Sequence, residues 1–219
     1  MRKKLFGRFR VSYDYLNPKQ DDNLLSIGCK EAELELNICS QVNNIIAIDI
    51  NRKIISENKR KYQQTRPKIK FEYGDIANGI NYRSETFDKI LFLEVIEHLP
   101  KNKEKEALTE IYRLLKKGGI LVLSTPNDNP LTTFFDPAYW LFHHRHYKIS
   151  YLKEMLENVG FKIEREYIGG GIIELLWIPM FYILLKLKLD KLFKPIMDRL
   201  IDLEYRRKGF QTIILKCRK

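Results

Sequence analysis

Leu24-Leu25-Ser26-Ile27-Gly28-Cys29-Lys30-Glu31-Ala32, followed twelve residues later by Ile45-Ile46-Ala47-Ile48-Asp49-Ile50, decides the fold. Residues 24–28 form a short apolar run that stops at a glycine, as a strand buried on both faces does. Residues 31–41 read as a helix, and 45–50 as a second buried strand. The alternation then repeats. Residues 51–64 are polar and helical, and Pro67 closes them before a strand at 69–73. A strand at 87–93 (FDKILFL) leads into a helix over about 103–116. Gly118-Gly119 turns the chain into a strand at 120–125, which Pro126 ends. Strand–helix units of this length require parallel strands joined by right-handed crossovers. A helix over 150–158, with Ser150 as its cap and Gly160 as its stop, precedes a strand at 161–168. With a last strand at 210–216, the spacing predicts a doubly wound α/β sheet of seven strands in one domain, 1–219.

Residues 169–207 interrupt the alternation. Gly169-Gly170-Gly171 opens this insertion before the last strand, and IIELLWIPMFYILL (172–185) follows, interrupted by Glu174 and Pro179 and ended by Lys186. The run is shorter than the ~20 apolar residues of a membrane span. Two readings stand: a helical lid packed on the sheet, with Trp177, Phe181 and Tyr182 walling an acceptor pocket, or an interfacial segment. The second rests on Lys186, Lys188, Lys191 and Lys194, which flank the apolar residues.

Composition narrows the classes. The 219 residues are 44% hydrophobic and 31% charged, which excludes a disordered or fibrous chain. Cys29, Cys39 and Cys217 form no CxxC pair, so no disulfide scaffold or zinc ribbon is expected, and a reducing, cytoplasmic setting is. The basic opening MRKKLFGRFR lacks an apolar segment after it, so no secretory leader is expected. A net charge of +11 attracts nucleic acid, anionic lipid or phosphorylated substrates, and equally suits a plain solvated surface.

The order of motifs resembles the class I S-adenosylmethionine-dependent methyltransferases over about residues 20–217. The resemblance implies a Rossmann-like methyltransferase sheet and S-adenosylmethionine as cofactor. Gly28 matches the first glycine of the family's cofactor loop, while Ser26, Lys30 and Ala32 replace an acidic residue and two glycines. Asp49 matches the carboxylate that holds the ribose hydroxyls, and Ile50 would pack beside the adenine. Gly74-Asp75-Ile76 matches the segment that reads the adenine edge, and Leu93 would end the fourth strand under the cofactor. Residues 114–119 (LLKKGG) and 124–127 (STPN) also match. Lys30 either pairs with the cofactor carboxylate or obstructs the loop. A fold that has lost its cofactor is the rival reading.

Glu94, Glu97 and His98 have i, i+3, i+4 spacing, and residues 142–147 (FHHRHY) add His143, His144 and His146. This ExxEH with a distal His resembles metal-assisted O-methyltransferases of ubiquinone precursors and of small RNAs. The resemblance implies a divalent ion held by Glu94, Glu97, His98 and His144. Without a metal, His98 and His146 would serve as catalytic imidazoles. Tyr139 and Trp140 would wall the acceptor pocket. The expected reaction is methyl transfer to a hydroxyl, or less readily an amine, of a small or lipid-linked substrate. RNA is the third acceptor class, ranked lower because no appended RNA-binding module is recognisable.

Overall fold

The structure, a computed structural model, describes residues 4–142 and 144–219, and of Ala138, Leu141, Phe142 and Tyr182 it describes the backbone only. His143 and the Tyr182 side chain therefore lie outside the described residues. Seven strands, β1 (Asn23–Ile27), β2 (Asn44–Asp49), β3 (Ile69–Tyr73), β4 (Phe87–Leu93), β5 (Leu115–Pro126), β6 (Lys162–Gly169) and β7 (Thr212–Arg218), form one sheet. Their order is β3-β2-β1-β4-β5-β7-β6. Among these strands β7 runs opposite to the other six. The chain reverses direction across the sheet between β1 and β4, and open α/β sheets form their ligand crevice beside such a point.

Alternate residues of the central strands feed two apolar layers. Leu25, Ile27, Ile90, Phe92, Leu121 and Leu123 face one. Leu24, Ala47, Phe71, Leu91 and Val122 face the other. Burial on both faces explains why these strands read as continuous apolar runs. The three cysteines are free thiols, each buried.

The helices are α1 (Gly7–Leu16), α2 (Glu33–Ile38), α3 (Arg52–Tyr62), α4 (Glu104–Leu114), α5 (Pro130–Phe135), α6 (Pro137–Phe142), α7 (Ile149–Val159), α8 (Ile172–Lys186) and α9 (Asp190–Glu204). One expectation needs correction, at Ser150, and two features were not anticipated. The basic opening holds a helix, α1, which packs against α9 and the β5–β7 side of the sheet. Ser150 lies inside α7, and Lys148 precedes the helix without a side-chain cap. Pro179 does not interrupt α8, because a proline inside a helix forfeits one backbone bond and the remaining ladder spans it. Gly160 does stop α7, at φ 112° with its N–H on Glu157 and Leu156 carbonyls.

The connection from β6 to β7 leaves and re-enters at the carboxyl edge of the parallel strands, so the α8–α9 hairpin stands at that edge. Its root is well tied. The Glu204 carboxylate accepts from the N–H groups of Gly171, Ile173 and Glu174 at 3.1, 2.8 and 3.0 Å, capping α8 with a negative charge. Asp202 does the same for α1, accepting from Gly7 N at 3.0 Å and Arg10 Nε at 2.7 Å.

Candidate active site

Every residue singled out above for the cofactor lies at the carboxyl ends of β1, β2, β3 and β4. The β1–α2 loop keeps the shape of a glycine loop at positions that are not glycine. Gly28, Lys30 and Ala32 all have positive φ, at 73°, 43° and 57°. A Cβ on Gly28 would come within 2.4 Å of Val95 Cγ2, so this glycine is demanded by the protein's own packing. Ser26 donates a hydrogen bond to the Glu35 carboxyl, so a buried carboxyl from α2 stands beside the position where the family carries an acidic side chain.

Asp49 is 7% exposed, and both its oxygens are held by backbone: Oδ2 accepts from Lys30 N at 3.1 Å and Oδ1 from Asn51 N at 2.8 Å. Each oxygen keeps a further lone pair for a diol. Ile50 is 63% exposed at the end of β2, an apolar surface suited to covering a base. Asp75 caps a 3-10 turn, its Oδ1 accepting from Ala77 N at 3.0 Å and its Oδ2 from Asn78 Nδ2 at 2.7 Å. It lines a cavity of about 570 Å³ together with Gly74, Tyr73 and Ile80. The Ile76 side chain is buried in the core, which leaves only its backbone for a ligand. Leu93 is half-buried at the end of β4. The donors and left-handed backbone at this edge fit the adenosine and methionine parts of the expected cofactor.

The residues after β4 do not share one helical face. Glu94 takes a left-handed conformation (φ 54°) and accepts from Ser124 Oγ at 2.7 Å. Ile96–His98 then forms a single 3-10 turn. Glu97 points inward: its Oε2 accepts from Thr125 Oγ1 at 3.0 Å, while its buried Oε1 has no hydrogen-bond partner among the described residues. Burial, reinforced by Glu94, holds the Glu97 carboxyl well above the usual carboxylate range. Among the described residues, Glu97, His98 and His144 offer ligand atoms within 4.8 Å of one another, as do Asp136, His144 and His146. Glu94 belongs to neither group.

The imidazoles form a chain. His98 Nε2 and His144 Nε2 are 3.0 Å apart, and His144 Nδ1 lies 3.4 Å from Asp136 Oδ2. Asp136 Oδ2 is also 3.0 Å from His146 Nε2, whose Nδ1 meets Thr133 Oγ1 at 3.0 Å. His146 is thus locked behind Asp136, whereas His98 is exposed. Partial burial, then the His144 ring and the Lys30 ammonium, pull the His98 pKa down to about 4, so the ring is neutral near pH 7. A cavity of about 800 Å³ adjoins the pair, lined by Tyr139, Trp140, His144, Arg145, His146 and Tyr151 among others. Trp177 and Phe181 line neither cavity. Trp177 is buried, with its ring 5.7 Å from that of Phe181.

Two participants were not legible in the sequence. Asp136 sits between α5 and α6, eight and ten residues before the imidazoles it joins, in a segment for which the sequence predicts no element. Arg8 reaches in from α1, and its buried Nε has no partner among the described residues. Burial would lower the Arg8 pKa, but Glu94, Tyr205, Glu174 and Glu97 outweigh it, so the guanidinium stays charged. Glu174 is buried beside it, and its pKa is pushed up to about 7 by burial. Its Oε1 accepts from Tyr205 Oη at 3.3 Å, and the Gln211 amide, suitably turned, donates to its Oε2 at 2.9 Å.

Comparison with known proteins agrees with this geometry. A relative from Mycolicibacterium smegmatis, named as a probable S-adenosylmethionine-dependent methyltransferase, is 26% identical over 174 residues, 78% of this chain and 65% of that protein. The ubiquinone biosynthesis O-methyltransferase of Dechloromonas aromatica is 28% identical over 112 residues, 51% of this chain and 47% of that protein. The chain thus spans about two thirds or less of the length of these relatives. A solved S-adenosylmethionine-dependent methyltransferase from Mesorhizobium loti superposes with a TM-score of 0.68 over 96% of both chains at 13% identity, a likeness of fold. A methyltransferase-domain family model matches residues 1–166. With its sheet order, its cofactor-side donors and this match, the chain belongs to the class I S-adenosylmethionine-dependent methyltransferases.

Proposed function

We propose that this methyltransferase acts on a hydroxyl of a small or lipid-linked acceptor, with His98 as the group that receives the hydroxyl proton. The observation that carries the reading is the chain Asp136–His144–His98 at the end of β4, beside the cofactor-side loop. With Asp136 accepting from His144 Nδ1–H, His144 Nε2 is left as an acceptor for His98 Nε2–H. The remaining His98 nitrogen is then a lone pair directed out of the chain, on a ring that is neutral near pH 7. When bound, the cofactor supplies a methyl group activated by its sulfonium. With the cofactor bound, its methyl group would pass to the acceptor oxygen with the sulfur as leaving group, and His98 would take the hydroxyl proton. Tyr139 and Trp140 offer flat apolar walls to an acceptor in the adjoining cavity. On the cofactor side, Asp49 holds the diol and Ile50 covers the base.

The test is methyl transfer from labelled cofactor to soluble and lipid-linked hydroxylated acceptors. His98→Asn is expected to lower kcat by about 10²–10⁴-fold with cofactor affinity unchanged, the usual span for a lost general base. Full activity in His98→Asn would reject the assignment. A second reading rests on Glu97, whose buried Oε1 has no hydrogen-bond partner among the described residues and whose carboxylate offers a ligand atom within 4.8 Å of those of His98 and His144. One carboxylate and two imidazoles are a donor set suited to a borderline divalent ion. Calorimetric titration with zinc and manganese tests this reading. Binding that survives Glu97→Gln and His144→Asn together would reject these residues as ligands.

A further inference from the structure

The α8–α9 hairpin presents its apolar residues to solvent. On α8, Ile172, Leu176, Met180, Ile183 and Leu187 recur at helical spacing, and all are exposed. On α9 the exposed stripe is Leu192, Ile196, Leu200 and Leu203, with Phe193 beside it, and Leu192 is 69% exposed. The opposite faces are already used: Leu175, Trp177 and Asp202 are buried against the domain. The hairpin tip alternates Leu185-Lys186-Leu187-Lys188-Leu189 with every residue exposed. A lid folded on the sheet would have buried these leucines. Monomeric soluble surfaces rarely carry a contiguous apolar face of this kind without a use for it.

We infer that the α8–α9 hairpin docks on a bilayer containing anionic phospholipid, with the tip leucines in the acyl boundary and the lysines at the headgroups. Three observations select this occupant. Residues 186–208 hold eight basic side chains against four acidic ones. The acidic side chains are largely spent within the protein, Asp198 on Lys194, Asp202 on Arg10 and Glu204 on the start of α8. Lys186, Lys188 and Lys191 form no ion pair among the described residues. A second copy of the chain meeting this face about a two-fold axis would oppose like charges, whereas an anionic surface complements them.

The end of α8 and the turn into α9 are closed by backbone hydrogen bonds. The N–H groups of Leu187, Lys188, Leu189 and Leu192 donate to the carbonyls of Ile183, Leu185, Leu184 and Leu189. Lysine stems lie along apolar surface while their ammonium groups reach the headgroups. Among the described residues no helix is long and apolar enough to cross a membrane, so the geometry is that of a segment lying in the interface. The face continues toward the acceptor cavity: α5, packed against α8, adds exposed Leu131 and Phe134, and Trp140 of the cavity wall is 62% exposed.

The test is sedimentation of the full chain, without cofactor or acceptor, with phosphatidylcholine vesicles containing or lacking phosphatidylglycerol. Binding to the anionic vesicles is expected at low salt, weakening as salt rises and much reduced without phosphatidylglycerol. Leu187→Glu with Leu189→Glu is expected to abolish binding with the circular dichroism and Tm of the parent, because both side chains are exposed. Lys191→Ala is expected to weaken partitioning about fivefold, the effect of one basic residue near an anionic surface. Absence of binding to anionic vesicles at low salt would overturn the proposal. So would undiminished binding of the double-glutamate variant, or a parent dimer in light scattering that the same variant dissolves.

Discussion

Lys30 shows how one residue can keep a backbone that its side chain opposes. Its φ of 43° lies in the left-handed region, where a non-glycine residue costs about 1–2 kcal/mol. The strain is held by two neighbours: Lys30 N donates to Asp49, and the Lys30 carbonyl accepts from Asn58 Nδ2 at 2.6 Å. Lys30→Gly removes the strain at the cost of unfolded-state entropy. The net expectation is a gain of up to about 1 kcal/mol, read as a rise in the midpoint of denaturant unfolding. Cofactor affinity in the same variant separates the two roles weighed for Lys30. A fall shows the ammonium pairing with the cofactor carboxylate, and a rise shows relief of an obstructed loop.

Glu174 makes a prediction about pH. Its folded pKa of about 7 stands above the ordinary value of 4.5, so the folded state binds the proton more tightly than the unfolded state. The stabilisation from this group is full below about pH 4.5 and is lost as the pH rises through about 7. Glu174→Gln cannot lose it. The stability of the parent relative to this variant is therefore expected to fall by an amount of order 3 kcal/mol between pH 4.5 and 8. Urea melts across that range check it, and a flat difference would show Glu174 ionised like a surface carboxylate.

At the scale of elements, α9 acts as a strap. Its Asp202 anchors the start of α1 and its Glu204 the start of α8, so two helix ends with opposite places in the sequence share one support. Glu204→Ala leaves three N–H groups at the α8 start without their carboxylate. The expected cost is about 1–3 kcal/mol for a charged hydrogen-bonding group. Hydrogen exchange is expected to show the loss first at Ile173 and Glu174, with β1–β5 amides unchanged. Uniform loss across the sheet would instead show that the hairpin and the domain unfold as one unit. The element that sequence reading missed altogether, α1, belongs here. GRFRVSYDYL (7–16) has its aromatics and arginines spread around the helix, and buried partners on α9 and the sheet determine its conformation more than its own pattern does.

For the whole molecule, the expected cofactor residues and the imidazole chain share the carboxyl edge of the sheet. A ligand that binds only the folded state stabilises it, by about 2.7 kcal/mol at a hundred times its Kd. For a chain of this size that corresponds to a rise in Tm of roughly 5–10 °C with S-adenosylmethionine. Asp49→Ala is expected to remove most of the rise, because the ribose diol loses its acceptor while β2 keeps its pairing. An unchanged rise in that variant would move the ribose site elsewhere.

What the sequence determined by itself was the sheet. Buried parallel strands need apolar residues on both faces, so IIAIDI and FDKILFL announce themselves without reference to anything distant, and Gly160 and Pro126 mark ends by local stereochemistry. Asp49 and Gly28 were legible for the same reason, being fixed by position relative to a strand end. Only the tertiary structure decided the rest. The pairing of His98 with His144 across 46 residues, the carboxyl of Glu35 beside Ser26, and Asp136 behind both distal imidazoles depend on how loops fold back over the carboxyl edge. Glu94 and Glu97 share a spacing that suggests one face, yet a left-handed turn at Glu94 sends them to different partners. The insertion is the last case. Its composition admits both a lid and an interfacial hairpin, and only the three-dimensional packing, which buries one face of each helix and leaves the leucines outside, favours the second.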